Sequence, residues 1–172
     1  MEARIRKLVE NGWLGKATVL AKPIPILDGP IYCWSPGDLE PNFGKAAWKA
    51  QSRWKLPAKS TTIIYAGRKA THNYLGTRPR KVKQIFQVTH DLGLAEVYLL
   101  TRRLRPELAR SWVGEGKHRF KKPRMKNADA YIFPEDTWPP KLIIEFAGCY
   151  PKKRIEQFHA FCVKQHLSYE LW

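Results

Sequence analysis

Two carboxylates in the last third of the chain are the residues best placed for chemistry. Glu145 interrupts the apolar run KLIIEFAG (141–148), and Asp129 lies near the start of the run ADAYIF (128–133). Burying an unpaired carboxylate is costly, so Glu145 requires a partner, a metal ion or a pocket. If the two runs pair as strands around the turn at 134–140, both side chains can meet on one sheet face. Because hard cations prefer oxygen ligands, the pair predicts a Mg²⁺ or Mn²⁺ site, and attack of metal-activated water on a phosphodiester is the matching chemistry.

Structural roles for the same two acids stay open beside the metal site. Glu145 can form an ion pair with Lys141 or Lys153, and such pairs are common in proteins. Asp129 can bond to a turn or pair with a nearby arginine. The residue types alone therefore leave two interpretations of this pair of carboxylates.

The elements that must position these acids follow a mixed α/β pattern. Apolar residues at helical spacing predict one long helix ahead of the acids, and alternating or continuous apolar runs predict the strands. Pro151 suits the first turn of a further helix. In chain order the prediction is a helix at 81–104, strands at 128–133 and 141–148, a helix at 151–165 and a strand at 167–172.

The first part of the chain predicts a different module. An amphipathic helix at 4–14 is followed by two predicted strands near 18–21 and 30–34, which a glycine turn would join into a hairpin. A helix followed by a hairpin is the back half of a winged helix. We therefore predict a partial winged-helix segment at 1–40, a basic connecting region at 41–80 and a third domain at 81–172.

Net charge predicts a polyanionic partner. Lysine and arginine number 31 against 15 acidic residues, which gives a formal charge of +16. That excess favours nucleic acid, most directly DNA, over an anionic membrane surface, because the basic segments lack a clean amphipathic pattern. Trp48 and Trp54 lie among basic residues and could stack on bases. The predicted nucleic-acid-binding residues are Lys45, Lys49, Arg53, Arg80, Lys81, Lys83, Arg119, Lys121, Lys122 and Arg124.

Several motifs together resemble two known groups of proteins. An aspartate, a turn, an apolar run with a glutamate, a helix and a strand are similar to the PD-(D/E)XK nuclease core. More narrowly, the chain resembles the replication-relaxation family of plasmid and mobile-element proteins. The motifs that carry this resemblance are RIRKLVENGWL (4–14), GPIYCWSPGD (29–38), THDLGLAEVYLL (89–100), NADAYIF (127–133) and LIIEF (142–146).

The resemblance implies a fold and a set of site residues. It implies a restriction-endonuclease-like α+β domain, a central mixed sheet flanked by helices, with Asp129 and Glu145 as catalytic metal ligands. It also implies a third acid on the preceding helix, for which Glu96 is the best match. The lysine expected two residues after Glu145 is Ala147, so Lys153 is the candidate to steady the scissile phosphate.

These inferences lead to two functions of different classes. The first is a DNA-binding protein of a plasmid or mobile element with a Mg²⁺- or Mn²⁺-dependent endonuclease site. The alternative is a catalytically decayed nuclease fold that only binds DNA as a replication or mobilisation accessory, which Ala147 favours. A homodimer, or a subunit of a larger replication or transposition complex, is the further partner considered.

Targeting signals and cysteines bear on the compartment. The sequence has no window that matches a transmembrane helix and no signal-peptide core at its start, so a cytoplasmic protein is expected. Cys33, Cys149 and Cys162 have no disulfide-framework spacing and are expected to be reduced. Cys162 with His159 and His166 lies on one predicted helix face, but this spacing fits no standard structural zinc motif.

Overall fold

The computed structural model describes residues 2–74, 85–117, 128–135 and 139–172. These residues divide into two compact units, one drawn from 1–23 and 56–89 and the other from 24–55 and 90–172. The described elements, in chain order, are α1 (Glu2–Glu10), β1 (Leu14–Ala21), β2 (Tyr32–Trp34), α2 (Phe43–Ser52), β3 (Lys59–Ala66), α3 (Arg68–Asn73), α4 (Ile85–Leu104), α5 (Pro106–Arg110), β4 (Trp112–Gly114), β5 (Ala130–Ile132), β6 (Leu142–Glu145), α6 (Lys152–Lys164) and β7 (Tyr169–Leu171).

The smaller unit is a helix followed by a two-stranded antiparallel ribbon. Helix α1 ends at Glu10, and Gly12, two residues later, has a φ of +73°, a conformation that glycine adopts without strain. Strand β1 then pairs with β3 along its whole length, from Leu14 opposite Ala66 to Ala21 opposite Lys59. The helix and ribbon therefore come from two chain segments that are distant in sequence.

The predicted hairpin between 18–21 and 30–34 is wrong. Strand β1 pairs with β3, whereas β2 pairs with β7 in the sheet of the larger unit. The physical reason lies in burial: Trp34 of β2 is buried and stacks on Tyr169 of β7 with ring centroids 5.8 Å apart. A local turn signal could not outweigh that non-local apolar contact.

The larger unit is built on a five-stranded mixed sheet in the order β2-β7-β6-β5-β4. Strands β4, β5 and β6 form an antiparallel meander, and β7 runs parallel to β6. The connection from β6 to β7 contains α6, as a parallel pair requires. The mixed α/β class predicted from the sequence is confirmed, and so are the two strands, the helix and the final strand predicted between 128 and 172.

Helices cover both faces of this sheet. One face packs against small residues of α2 and apolar residues of α6 in a cluster that includes Ala47, Ala50, Phe158 and Tyr169. The other face forms a second cluster in which Val97 of α4 joins residues of β5 and β6 and the buried Trp172. The alternation of side chains along each strand thus sends neighbouring residues to two separate cores.

A buried carboxylate of β7 forms an ion pair with Arg105, the residue that follows α4. Glu170 of β7 is buried and accepts hydrogen bonds from both terminal nitrogens of Arg105, with the Nη2–Oε2 distance at 2.9 Å. Trp172 donates its indole N–H to the same carboxylate at 2.9 Å. These partners satisfy a carboxylate that would otherwise be costly to bury.

Among the helices of the described ranges, none is long and apolar enough to cross a bilayer.

The buried histidine of α6 predicts a pH dependence of stability. Burial lowers the pKa of His159 below its usual value, and the negative charge of Glu40 only partly opposes this effect. The unfolded chain then takes up the proton more readily than the folded one. Folding therefore carries no penalty from His159 above the unfolded pKa of about 6.5, and the free energy of unfolding falls as pH drops below that value. We expect the Tm of wild type to fall from about pH 7 to about pH 5 with a steeper slope than that of His159→Gln. Equal slopes would contradict a buried neutral His159.

Candidate functional site

The two predicted carboxylates lie across from each other at one end of adjacent strands. Ala130 of β5 pairs with Ile144 of β6, so Asp129, just before β5, stands opposite Glu145, the last residue of β6. The Oδ2 atom of Asp129 accepts the backbone N–H of Phe146 at 2.7 Å. The structure therefore brings Asp129 to the strand end that carries Glu145.

Asp129 is also anchored by a histidine of α4. His90 Nε2 lies 3.1 Å from Asp129 Oδ2, and its Nδ1 lies 3.6 Å from Asp91 Oδ1. Burial by itself would lower the pKa of His90, but hydrogen bonds to Asp129 and Asp91 and the charges of both acids raise it to about 10. The raised pKa favours the imidazolium form at neutral pH, which would place a positive charge beside Asp129.

Glu145 is held by a tyrosine and, through it, by an arginine. The side chain of Glu145 is buried, with 2% of its residue surface exposed. Tyr150 donates its hydroxyl to Glu145 Oε1 at 2.9 Å and accepts a hydrogen bond from Arg154 Nη2 at 2.8 Å. Burial, followed by the negative charges of Glu145 and Asp129, raises the pKa of Tyr150. The phenol thus remains a proton donor to Glu145.

The guanidinium of Arg154 completes this chain of contacts. It lies 3.9 Å from the centroid of the Tyr150 ring, a close cation–π arrangement. Tyr150 lies in the loop just before α6 and Arg154 in the first turn of that helix, so the short connection through Pro151 lets the two side chains meet. Neither residue was predicted as part of the site, although their spacing beside a buried glutamate was visible in the sequence.

Two of the predicted catalytic residues occupy exposed positions. Glu96 lies on the exposed side of α4, and Lys153 is exposed in the first turn of α6. The residue that α4 brings to Asp129 is His90, two turns earlier. The described contacts of the two acids come from His90, from the N–H of Phe146 and from Tyr150.

The position of the expected lysine is part of the core. Ala147 is fully buried and belongs to the cluster that includes Ile155 and Phe158. Its N–H donates to the carbonyl of Trp172 at 2.7 Å. A lysine in this backbone position would have to take its ammonium group through apolar surroundings, so alanine fits the packing that the structure shows.

Within the described part of the chain, no group of three or more histidine, cysteine, aspartate or glutamate side chains is arranged to hold a metal ion. The zinc interpretation gains no support from the described contacts of His159, which bonds through Nδ1 to the Tyr169 hydroxyl at 3.0 Å and packs edge-on against Trp34. The pair Asp129 and Glu145 offers carboxylate oxygens only. Such a pair suits a hard cation that completes its coordination with water and phosphate.

Among the predicted nucleic-acid-binding residues, Arg53 has an unusual environment. Its guanidinium lies 5.2 Å from the Phe146 ring centroid and 6.0 Å from that of Trp54. Its Nε and Nη2 atoms are buried and have no hydrogen-bond partner within the described ranges. Burial lowers the pKa of Arg53 to about 10, and a small opposing effect comes from Cys149. Arg53 thus packs against the protein, in contrast to the exposed Lys45 and Lys49.

The two tryptophans that the sequence suggested for base stacking have different environments. Trp54 donates its indole N–H to the carbonyl of Gly148 at 2.9 Å and packs edge-on against Phe146. Trp48 on α2 is 68% exposed. Of the remaining predicted basic residues, the following lie outside the described residues: Arg80, Lys81, Lys83, Arg119, Lys121, Lys122 and Arg124.

Comparison of the chain with protein-family models, with curated proteins and with solved structures finds no match.

Proposed function

We propose that this chain is a DNA-binding protein with a nuclease-like domain, of the plasmid or mobile-element type that its motifs resemble. In this proposal Asp129 and Glu145 hold Mg²⁺ or Mn²⁺ for hydrolysis of a phosphodiester bond. One observation carries it: Asp129, just before β5, accepts the N–H of Phe146, the residue after Glu145 of β6, so both acids lie at one end of the paired strands. The charge of +16 supports a polyanionic substrate.

The topology of the larger unit supports the same proposal. A helix, three antiparallel strands, a second helix and a parallel strand follow in order, and helices lie on both faces of the mixed sheet. A mixed sheet flanked by helices is the coarse architecture that the sequence resemblance implies, and it supports the proposal to that extent. Fold alone does not establish an activity, so the two carboxylates remain the main support.

The residues present fit a hard divalent cation. Asp129 and Glu145 offer oxygen donors, and Mg²⁺ is commonly bound by one or two carboxylates together with water and substrate phosphates. Such an ion, when bound, would supply Lewis-acid activation of water and of the phosphodiester. The residues that would hold it are themselves fixed: Phe146 N–H and His90 orient Asp129, and Tyr150 orients Glu145.

A second function is favoured by a specific observation. Ala147 is fully buried where the nuclease pattern has lysine, and the imidazolium of His90 already balances the charge of Asp129. In this alternative the acids hold structure, and the basic surface binds DNA without cleaving it.

Cleavage of supercoiled plasmid and of a single-stranded substrate in Mg²⁺, Mn²⁺ or EDTA tests the proposal. We expect nicking that requires the metal ion and is lost in Asp129→Asn, because the amide is a weaker ligand than the carboxylate. The matched control is Glu156→Gln, which changes a partly exposed carboxylate on α6 that pairs with Lys152 at 3.4 Å. This control should cleave like wild type.

A gel shift at increasing salt separates the remaining outcomes. Steep loss of binding with salt is expected because phosphate contacts release counterions. DNA binding without cleavage by wild type would replace the nuclease with the binding module. Absence of DNA binding at low salt would overturn both functions and favour a subunit that binds an acidic protein.

A further inference from the structure

Helix α2 exposes a large aromatic side chain on the face that points away from the core. Trp48 is 68% exposed, whereas Ala46, Ala47 and Ala50 of the same helix are buried. Tryptophan side chains are on average highly buried, because their large apolar area is costly to expose. Trp48 therefore offers a large aromatic surface that is free to contact a partner.

Two lysines flank this tryptophan at helical spacing. Lys45 precedes Trp48 by three residues and Lys49 follows it by one, and both are exposed. Residues three or four apart lie on the same side of a helix, so Lys45 lies beside both Trp48 and Lys49, and the three exposed side chains share one side of α2. Helix α2, FGKAAWKAQS, contains no acidic residue. We call Lys45, Trp48 and Lys49 the outer face of α2.

The outer face is held at a fixed place relative to the candidate site. Gln51, one turn after Trp48, donates its side-chain amide to the carbonyl of Tyr150 at 3.0 Å. Tyr150 is the residue that donates its hydroxyl to Glu145. Helix α2 is also anchored at its start, where Asn42 Oδ1 accepts the N–H of Lys45 at 2.9 Å. The helix can therefore present Trp48 as a rigid platform.

We infer that the outer face of α2 binds single-stranded DNA, with one unpaired base stacked on Trp48 and the adjacent phosphates contacted by Lys45 and Lys49. This inference rests on the proposed DNA-binding function and adds the strand state of the substrate. An exposed ring stacks on an unpaired base, whereas bases in a duplex are already stacked on one another. Two exposed lysines and no acid on α2 favour a nucleic acid over an apolar protein partner.

The test is binding of a labelled oligodeoxythymidine of about 12 nucleotides, a length within the range of known single-strand sites, measured by fluorescence anisotropy in EDTA. Trp48→Ala should weaken binding between about 5-fold and about 150-fold, the range reported for removing one stacking contact. Trp48→Phe should restore most of the affinity, because it keeps an aromatic face. A duplex of the same length should bind Trp48→Ala and wild type within about 2-fold, because its bases are not free to stack.

Two further variants complete the design. Leu99 of α4 is 55% exposed, and the variant Leu99→Ala, which removes this apolar side chain, should bind the oligonucleotide like wild type. The double variant Lys45→Gln/Lys49→Gln should reduce the slope of log K against log salt by about 1.4, since each single-strand phosphate contact contributes about 0.7. Equal Tm values for wild type and Trp48→Ala would show that the fold is intact.

The outcomes distinguish this inference from the function on which it rests. If Trp48→Ala binds the oligonucleotide as tightly as wild type, the stacking platform is overturned while DNA binding by other residues stands. Equal weakening of oligonucleotide and duplex overturns the choice of single strands. If wild type binds neither DNA at low salt, the proposed function itself is overturned, and the inference with it.

Discussion

Glu145→Gln is expected to reduce metal-dependent plasmid cleavage by about 10²–10³-fold, which corresponds to ~3–4 kcal/mol of lost transition-state stabilisation. The substitution replaces a negatively charged ligand with a neutral amide of the same shape. The amide oxygen can still accept the hydroxyl of Tyr150, which lies 2.9 Å from Glu145 Oε1. The change should therefore remove the charge and leave the fold and the DNA contacts intact.

Metal-dependent thermal stability provides the second measurement on the same variant. A cation that binds only the folded chain raises the Tm, so Mn²⁺ should stabilise wild type and not Glu145→Gln. Tyr150→Phe is the companion variant, because it keeps the carboxylate and removes its hydrogen-bond donor. Equal stabilisation of wild type and Glu145→Gln by Mn²⁺ would contradict a ligand role for Glu145. If Glu145→Gln raises the Tm without metal while wild type does not cleave, the buried acid belongs to a decayed site.

Phe146→Ala is expected to destabilise the larger unit by about 3–5 kcal/mol, the usual cost of removing a fully buried phenylalanine. The ring is completely buried in the cluster that contains Val97 and Trp172. It meets Trp54 edge-on with centroids 6.1 Å apart and His90 with centroids 5.6 Å apart. Its loss would leave a cavity and would also remove the ring contact that holds His90, which bonds to Asp129. Urea-induced unfolding, compared with Leu99→Ala as an exposed control, measures the difference.

A double-mutant cycle with Gly93 sharpens this prediction. A Cβ built on Gly93 of α4 would collide with the Phe146 ring. Gly93→Ala should therefore cost about 1–3 kcal/mol in wild type, because overpacking exceeds the helix propensity that alanine adds. In the Phe146→Ala background the same change should be neutral or stabilising by up to about 1 kcal/mol. Additive effects of the two changes would contradict the close approach of α4 to Phe146.

Local patterns predicted much of the larger unit. The signals lie within a few residues of each element: the alternating and apolar runs around Asp129 and Glu145, the proline at the start of α6 and the alternating final segment. These patterns correctly predicted the elements from β5 to β7. The short strand β4 was missed, since three residues give too little periodicity to recognise.

The candidate site was predictable only in part. The conflict between a carboxylate and an apolar run pointed to Glu145, and the turn at 134–140 pointed to its partner Asp129. The contacts that His90 and Tyr150 make with the acids were not predictable, because these residues reach them through the packing of α4 and of the loop before α6. Spacing along the chain carries no information about such contacts between elements.

What the sequence by itself determined is the charge of the molecule, the class of its fold and the presence of an acid that needs a partner, because composition and local periodicity are properties of the chain. Tertiary structure alone decided that β1 pairs with β3, that β2 joins the larger sheet and that Arg53 is packed while Trp48 is exposed. The physical reason is that strand pairing and burial are settled by contacts between residues far apart in sequence, where apolar area and hydrogen bonds outweigh local turn preferences.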